Sequence, residues 1–126
     1  MNEKRELEPL REILRKFKQE DKIKIALLYG SYARGASHNR SDIDLALSIR
    51  AENKEEEMEI IDKILMSVER DISILRLDDE DESPFVIKEA LKGIHLVEPD
   101  IDILYEISHR ALHDSEEIRF RRSLSG

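Results

Sequence analysis

Leu7, Leu10, Leu14 and Phe17 recur three or four residues apart among charged neighbours, which predicts an amphipathic helix over residues 6–19. Ile23 to Tyr29 (IKIALLY) is a short, nearly all-apolar run stopped by Gly30, as expected of a buried strand. Residues 31–36 are small or polar and suit the first turn of a short helix. From Ile43 to Ile49 the alternation is strict. Ile43, Leu45, Leu47 and Ile49 share one face, and Asp42, Asp44, Ala46 and Ser48 share the other. A second long helix fits residues 54–70, with Met58, Ile61, Leu65 and Val68 along one stripe, Asn53 as N-cap and Glu56 completing a capping box. Asp71 to Leu77 (DISILRL) reads as a third strand, followed by the acidic loop 78–82. Ser83 and Pro84 mark the start, and Gly93 the end, of a short helix over 85–92. Residues 95–98 suit an edge strand. Pro99 and Asp100 introduce a last helix through about residue 118, before the basic tail Arg119, Arg121 and Arg122.

This order predicts an α/β (α+β) fold: one mixed sheet of about four strands flanked by helices. The 126 residues fit a single domain, 1–126, without internal repeat or low-complexity linker. Composition narrows the picture in three ways. There is no cysteine, which excludes disulfides, thiolate metal sites and cysteine nucleophiles. The first ten residues, MNEKRELEPL, are highly charged, unlike a signal peptide, and no apolar run approaches the roughly 20 residues of a membrane span, so a cytoplasmic location is expected. The net charge of -8 disfavours stable binding to a bare nucleic acid, whereas a nucleotide carried with a divalent cation suits carboxylates well.

The candidate chemistry sits between residues 30 and 45. Asp42 and Asp44 leave the same face of a predicted strand about 6–7 Å apart along the chain. Two hard oxygen donors so placed can share magnesium or manganese, and would repel one another without a cation. Ala46 and Ser48 on the same face are small enough to leave room for a ligand above the sheet. Gly30 and Ser31 end a strand at the start of a helical turn, where free N–H groups and a hydroxyl cradle phosphate oxygens. Arg34 follows within one turn and can bind a phosphate through two donors. Taken singly, each element has an ordinary structural reading: exposed strand residues, or a plain strand–turn–helix junction.

Together, Gly30-Ser31-x-Ala33-Arg34-Gly35, five intervening residues, and Ser41-Asp42-Ile43-Asp44-Leu45 resemble the signature of the polymerase-β-like nucleotidyltransferase superfamily. Within it, the chain is similar to the minimal nucleotidyltransferases, short proteins found as antitoxins beside HEPN-domain toxins. The resemblance spans nearly the whole chain and implies the polymerase-β-like nucleotidyltransferase fold. It implies two Mg2+ ions held by Asp42, Asp44 and a third carboxylate on the neighbouring strand, where Asp71 stands; its structural alternative is a cap or a pair with Arg70. By the same resemblance, Gly30, Ser31, Arg34 and Ser41 bind the nucleotide, ATP is the donor, and Asp71 activates the acceptor hydroxyl.

The resemblance defines the donor better than the acceptor. Larger relatives carry acceptor-binding domains that this chain lacks, so the expected activity is protein adenylyltransferase: transfer of AMP from ATP to a hydroxyl, tyrosine foremost, of a partner HEPN toxin. A non-catalytic antitoxin that occludes its toxin, and a nucleotidyltransferase of small molecules, stand as alternatives. Nucleotide preference and oligomeric state stay open. His109 and His113, four apart on the last helix, lack the intervening glutamate and third ligand of a zinc site and read as surface or interface residues.

Overall fold

The computed structural model describes residues 3–30 and 43–125. Helix α1 (Glu3–Gln19) places Leu7, Leu10, Leu14 and Phe17 in the core, as their spacing requires. Strand β1 (Ile23–Tyr29) and strand β2 (Ile43–Ile49) pair antiparallel, from Ile23 opposite Ile49 to Tyr29 opposite Asp44. A register shift at Lys24 interrupts this ladder. Consequently Ile23 faces the same side as Ala26 and Leu28, and Ile25 faces the same side as Leu27. Helix α2 (Lys54–Leu65) returns the chain to strand β3 (Ile72–Arg76), which pairs parallel with β2. Helix α3 (Pro84–Leu91) and the two-residue strand β4 (Ile94–His95) follow, with β4 antiparallel to β1. The last helix, α4, spans Ile101–Ser125. The sheet order is β3-β2-β1-β4.

Helices cover both faces. Ile43, Leu45, Leu47, Ala26 and Leu28 pack under α1 and α2, where Ile60 and Ile64 complete the layer. Ile25, Leu27, Ala46, Leu75 and Leu77 pack under α3 and α4 through Ile87, Ala90, Ile107 and Ala111. The alternation of β2 is therefore real on both sides, but the second side is not open along its length. Ala46 and Ser48, expected beneath a ligand, are buried. Ala46 belongs to the α3–α4 layer, and the Ser48 hydroxyl donates to Asp78 at 2.9 Å. Asp78 also accepts from the Ile49 N–H, so this member of the acidic loop ties β2 to the end of β3 rather than standing free in solvent.

Two further expectations need correction. The stripe Met58–Ile61–Leu65–Val68 was expected to face the core, yet α2 buries Ile60 and Ile64 and leaves Met58 and Leu65 exposed. The helix also ends at Leu65 instead of 70. Met66 caps it, and Ser67 donates both its N–H and its hydroxyl to the Ile64 carbonyl, at 3.1 and 2.6 Å, consuming the acceptor that another turn would need. At the other end Asn53 accepts from the Glu56 N–H at 2.8 Å, as a capping residue should. The last helix runs to Ser125, beyond the expected 118, because no glycine or proline interrupts residues 101–125. Asp100 opens it, accepting from the Ile103 N–H at 3.2 Å.

Candidate active site

The strands deliver their polar residues to one end of the sheet. Asp44 is the second residue of β2 and lies opposite Tyr29 on β1 and Ser73 on β3. Paired residues point to the same face, so Tyr29, Asp44 and Ser73 form a row across three strands. Asp71 stands two residues before Ser73 and shares its side, and both are exposed, whereas Ile72 and Ile74 turn into the core. The Asp71 carbonyl accepts from the Ile43 N–H at 2.9 Å, so the ladder anchors the backbone at this position. Neighbouring Arg70 is held by Glu6 of α1 at 3.1 Å. Among the described residues, α3 and α4 cover the face from Ala46 onward, and Asp44, Ser73 and Asp71 lie outside that cover.

Gly30 closes the end of β1 against this row. Its φ is +76°, a left-handed value that glycine adopts freely and other residues resist. Space enforces the same choice. A side-chain carbon there would stand 3.1 Å from Asp44 Cγ and 3.3 Å from its Cβ, with the carboxylate Oδ2 nearer still. The chain thus lays bare backbone directly against the Asp44 carboxylate. Gly93, just before β4, crowds the same region from the other side, where an added carbon would meet the Leu28 carbonyl and approach Tyr29 Cβ to 3.0 Å. Gly93 follows the end of α3 as expected, but close approach to β1, and not a left-handed cap, is what demands glycine there.

Tyr29 was not singled out in the sequence, where it ends an apolar run and reads as core. Here it is half-buried beside Asp44. Burial pushes its phenol above the ordinary 10.0, and the negative charges of Asp44 and then Glu82 add to the rise. Glu82, in the acidic loop, therefore belongs to the electrostatic surroundings of the site. The only cue was the alternation that sets Tyr29 on the face of Ile25 and Leu27.

Gly30, Asp44 and Asp71 are brought to one end of the sheet. Ser31, Arg34, Ser41 and Asp42, together with the helical turn expected over 31–36, lie outside the described residues. Among the described residues no group of three His, Cys, Asp or Glu converges as a metal site. The donors Asp44 and Asp71 are carboxylates, the chemistry that magnesium prefers, and the glycine-bare approach to Asp44 is the kind of cradle such a site needs. His109 and His113 are exposed, and His109 stacks on Tyr105 with ring centroids 6.0 Å apart. Among the described residues no helix is long and apolar enough to cross a membrane.

Comparison with known proteins agrees with this fold. No curated protein sequence matches the chain. Among solved structures, a chain of a toxin–antitoxin complex with AMP-PNP superposes with a TM-score of 0.68 at 18% identity, covering 90% of this chain and 93% of that one. A chain of the MntA–HepT toxin–antitoxin pair gives 0.62 at 13% identity, with 92% of each chain covered. The complex of a tri-AMPylated Shewanella oneidensis HEPN toxin with MNT antitoxin gives 0.61 at 15% identity, covering 92% and 91%. At such identities the likeness is one of fold. The model of the family described as polymerase beta, nucleotidyltransferase matches residues 11–102, a span that holds all four strands and the Gly30–Asp71 site. The chain belongs to the polymerase beta nucleotidyltransferase family.

Proposed function

We propose that the protein is a magnesium-dependent adenylyltransferase that moves AMP from ATP to a tyrosine hydroxyl of a partner HEPN toxin and so acts as its antitoxin in the cytoplasm. The observation that carries this reading is the row at the end of the sheet: Asp44 clasped by Gly30, with Asp71 on the same open face one strand away. Asp42, Asp44 and Asp71 would hold magnesium, which supplies positive charge to the triphosphate. In the reaction the acceptor oxygen bonds to the α-phosphorus, the bond from that phosphorus to the bridging oxygen breaks, and pyrophosphate leaves. Asp71, solvent-exposed at the mouth of the face, takes the hydroxyl proton. Gly30 and Ser31 would offer backbone donors to the phosphates, and Arg34 and Ser41 would contribute to nucleotide binding.

Support for the acceptor comes from the similar structures. One of them holds an AMPylated HEPN toxin with its MNT antitoxin, and another a toxin–antitoxin with AMP-PNP. Among the described residues this face is covered from Ala46 onward, which suits a protruding side chain of a macromolecule at Asp44 and Asp71. The test mixes the protein with Mg-ATP and the protein encoded beside it, then weighs the latter by mass spectrometry. AMP added to a tyrosine, and lost when Asp42 and Asp44 both become Asn, is the expected result. No addition, or addition that survives the double substitution, refutes the reading.

A further inference from the structure

Helix α2 carries more apolar surface than the core uses. Ile60 and Ile64 fill the layer against α1 and the sheet, while a second line runs along the outside. Glu55, Met58, Asp62, Leu65 and the capping residue Met66 are spaced i, i+3, i+7, i+10 and i+11, which sets them on one side of the helix. Met58 is 61% exposed, Leu65 38% and Met66 83%. Isolated exposed apolar residues are ordinary, but three large ones aligned on one helix, unused by the fold, are not. Met66 also lines an open groove of about 530 Å3 between α1 and α2, with Pro9 and Ile13 on the opposite wall.

The position of this surface matters. Strands β2 and β3 are parallel, so α2 must carry the chain back to the end of the sheet where β2 begins. Its last turn thus ends at the same end of the sheet as the Asp44–Asp71 row, on the other face, and only residues 67–70 separate Met66 from Asp71. The ion pair from Arg70 to Glu6 fastens this connection to the first turns of α1, next to Pro9 in the groove. The apolar line is set among the exposed acids Glu55, Glu59 and Asp62. The groove edge is mixed, with Glu12, Lys16 and Lys63.

We infer that the outward face of α2, with the α1–α2 groove as its pocket, is the docking surface for the acceptor protein, a basic partner presenting an apolar anchor ringed by Lys or Arg. This rests on the adenylyltransferase reading for the identity of the acceptor. Methionine suits such a role, being unbranched and able to repack against an incoming side chain. The acidic surround and the net charge of -8 steer a basic partner and repel an acidic one. A partner bound there sits on the other face from Asp71, and a protruding hydroxyl reaches the site around the exposed edge of β3 while the anchor holds it.

The experiment reads binding before chemistry. The protein encoded beside this one is titrated without nucleotide against wild type, a Leu65→Ala/Met66→Ala variant, a Glu55→Lys/Asp62→Lys variant, and a comparison variant on α4, Ile101→Ala/Tyr105→Ala, whose side chains are also exposed. All four are checked for unchanged thermal midpoint and ATP affinity. The apolar α2 variant should bind about tenfold or more weakly, mainly through faster dissociation. The charge-reversed variant should associate more slowly and lose the salt dependence of its association rate. The α4 variant should match wild type. Wild-type affinity in both α2 variants, loss confined to the α4 variant, or no binding by wild type overturns the surface, whatever the transfer assay returns. Failure of transfer with this binding pattern intact counts against the adenylyltransferase reading alone.

Discussion

Gly30→Ala separates the two reasons for a glycine beside Asp44. The left-handed φ of +76° costs a non-glycine residue about 1–2 kcal/mol. The new methyl group would also stand 3.1 Å from Asp44 Cγ, inside the 3.5–4.0 Å at which carbon atoms rest, with Oδ2 closer still. The two nearest obstructing atoms, Oδ2 and Cγ, belong to the carboxylate, which swings away so that the sheet survives. A total destabilisation of about 1–3 kcal/mol follows, which lowers the urea midpoint by about 1 M. If Asp44 holds the metal as proposed, the effect on chemistry is larger, since misplacing a ligating group by about 1 Å costs on the order of 100-fold in rate. The assay pairs urea unfolding with the rate of AMP transfer per folded molecule, both at a temperature where the variant is fully native. A folded Gly30→Ala protein that transfers AMP at the wild-type rate would refute the argument that this glycine exists to seat Asp44.

Gly93→Ala should show the opposite balance. Its new carbon meets the backbone of Leu28, which cannot rotate aside, so unfolding measurements should find about 1–3 kcal/mol lost, with little change in transfer rate per folded molecule. In α2, Ile64→Ala should cost about 2–5 kcal/mol and Met58→Ala close to nothing, measured by denaturation; equal losses would restore the stripe inferred from periodicity. Tyr29 should ionise above 10.0 in ultraviolet titration, and Asp44→Asn should lower that value by removing one of the charges that raise it. The sign for stability follows from linkage. Above pH 10 the unfolded chain releases this proton while the native state keeps it, so stability falls as pH rises toward the raised value. Tyr29→Phe should flatten that alkaline decline.

Much of the fold was legible because strong patterns met unambiguous stops. The alternation of Ile43–Ile49 assigned every β2 side chain to its correct face, and Gly30 ended β1 where the structure ends it. Helix α2 was misread for a geometric reason. With Met58, Ile60, Ile61, Ile64 and Leu65 all apolar, the hydrophobic band is wider than the core contact, and periodicity alone does not say which half faces inward. Its early end depended on the hydroxyl of Ser67 reaching Ile64, an ordinary-looking residue in sequence. At the site, Asp44 and Asp71 announced themselves as carboxylates on strands. Tyr29 did not, because its role depends on which residue of β2 it faces, and pairing register is invisible in a run of apolar residues. Ala46 and Ser48 were judged by their size, when burial under α3 and α4 and the bond to Asp78 decide that side.

The two described carboxylates differ in their mechanical footing. Asp44 lies in an interior strand, paired on one side to β1 and on the other to β3. Asp71 directly precedes edge strand β3, which among the described residues pairs with β2 alone. Opening free energies across a native protein run from nearly zero at weakly supported segments up to the global value in the core. Amide protons of Ile72–Arg76 should accordingly exchange with solvent sooner than those of β1 and β2. On warming, the Asp71 side of the face would loosen while the strand bearing Asp44 still held its place, so under the proposed function group transfer would fail before nucleotide affinity does.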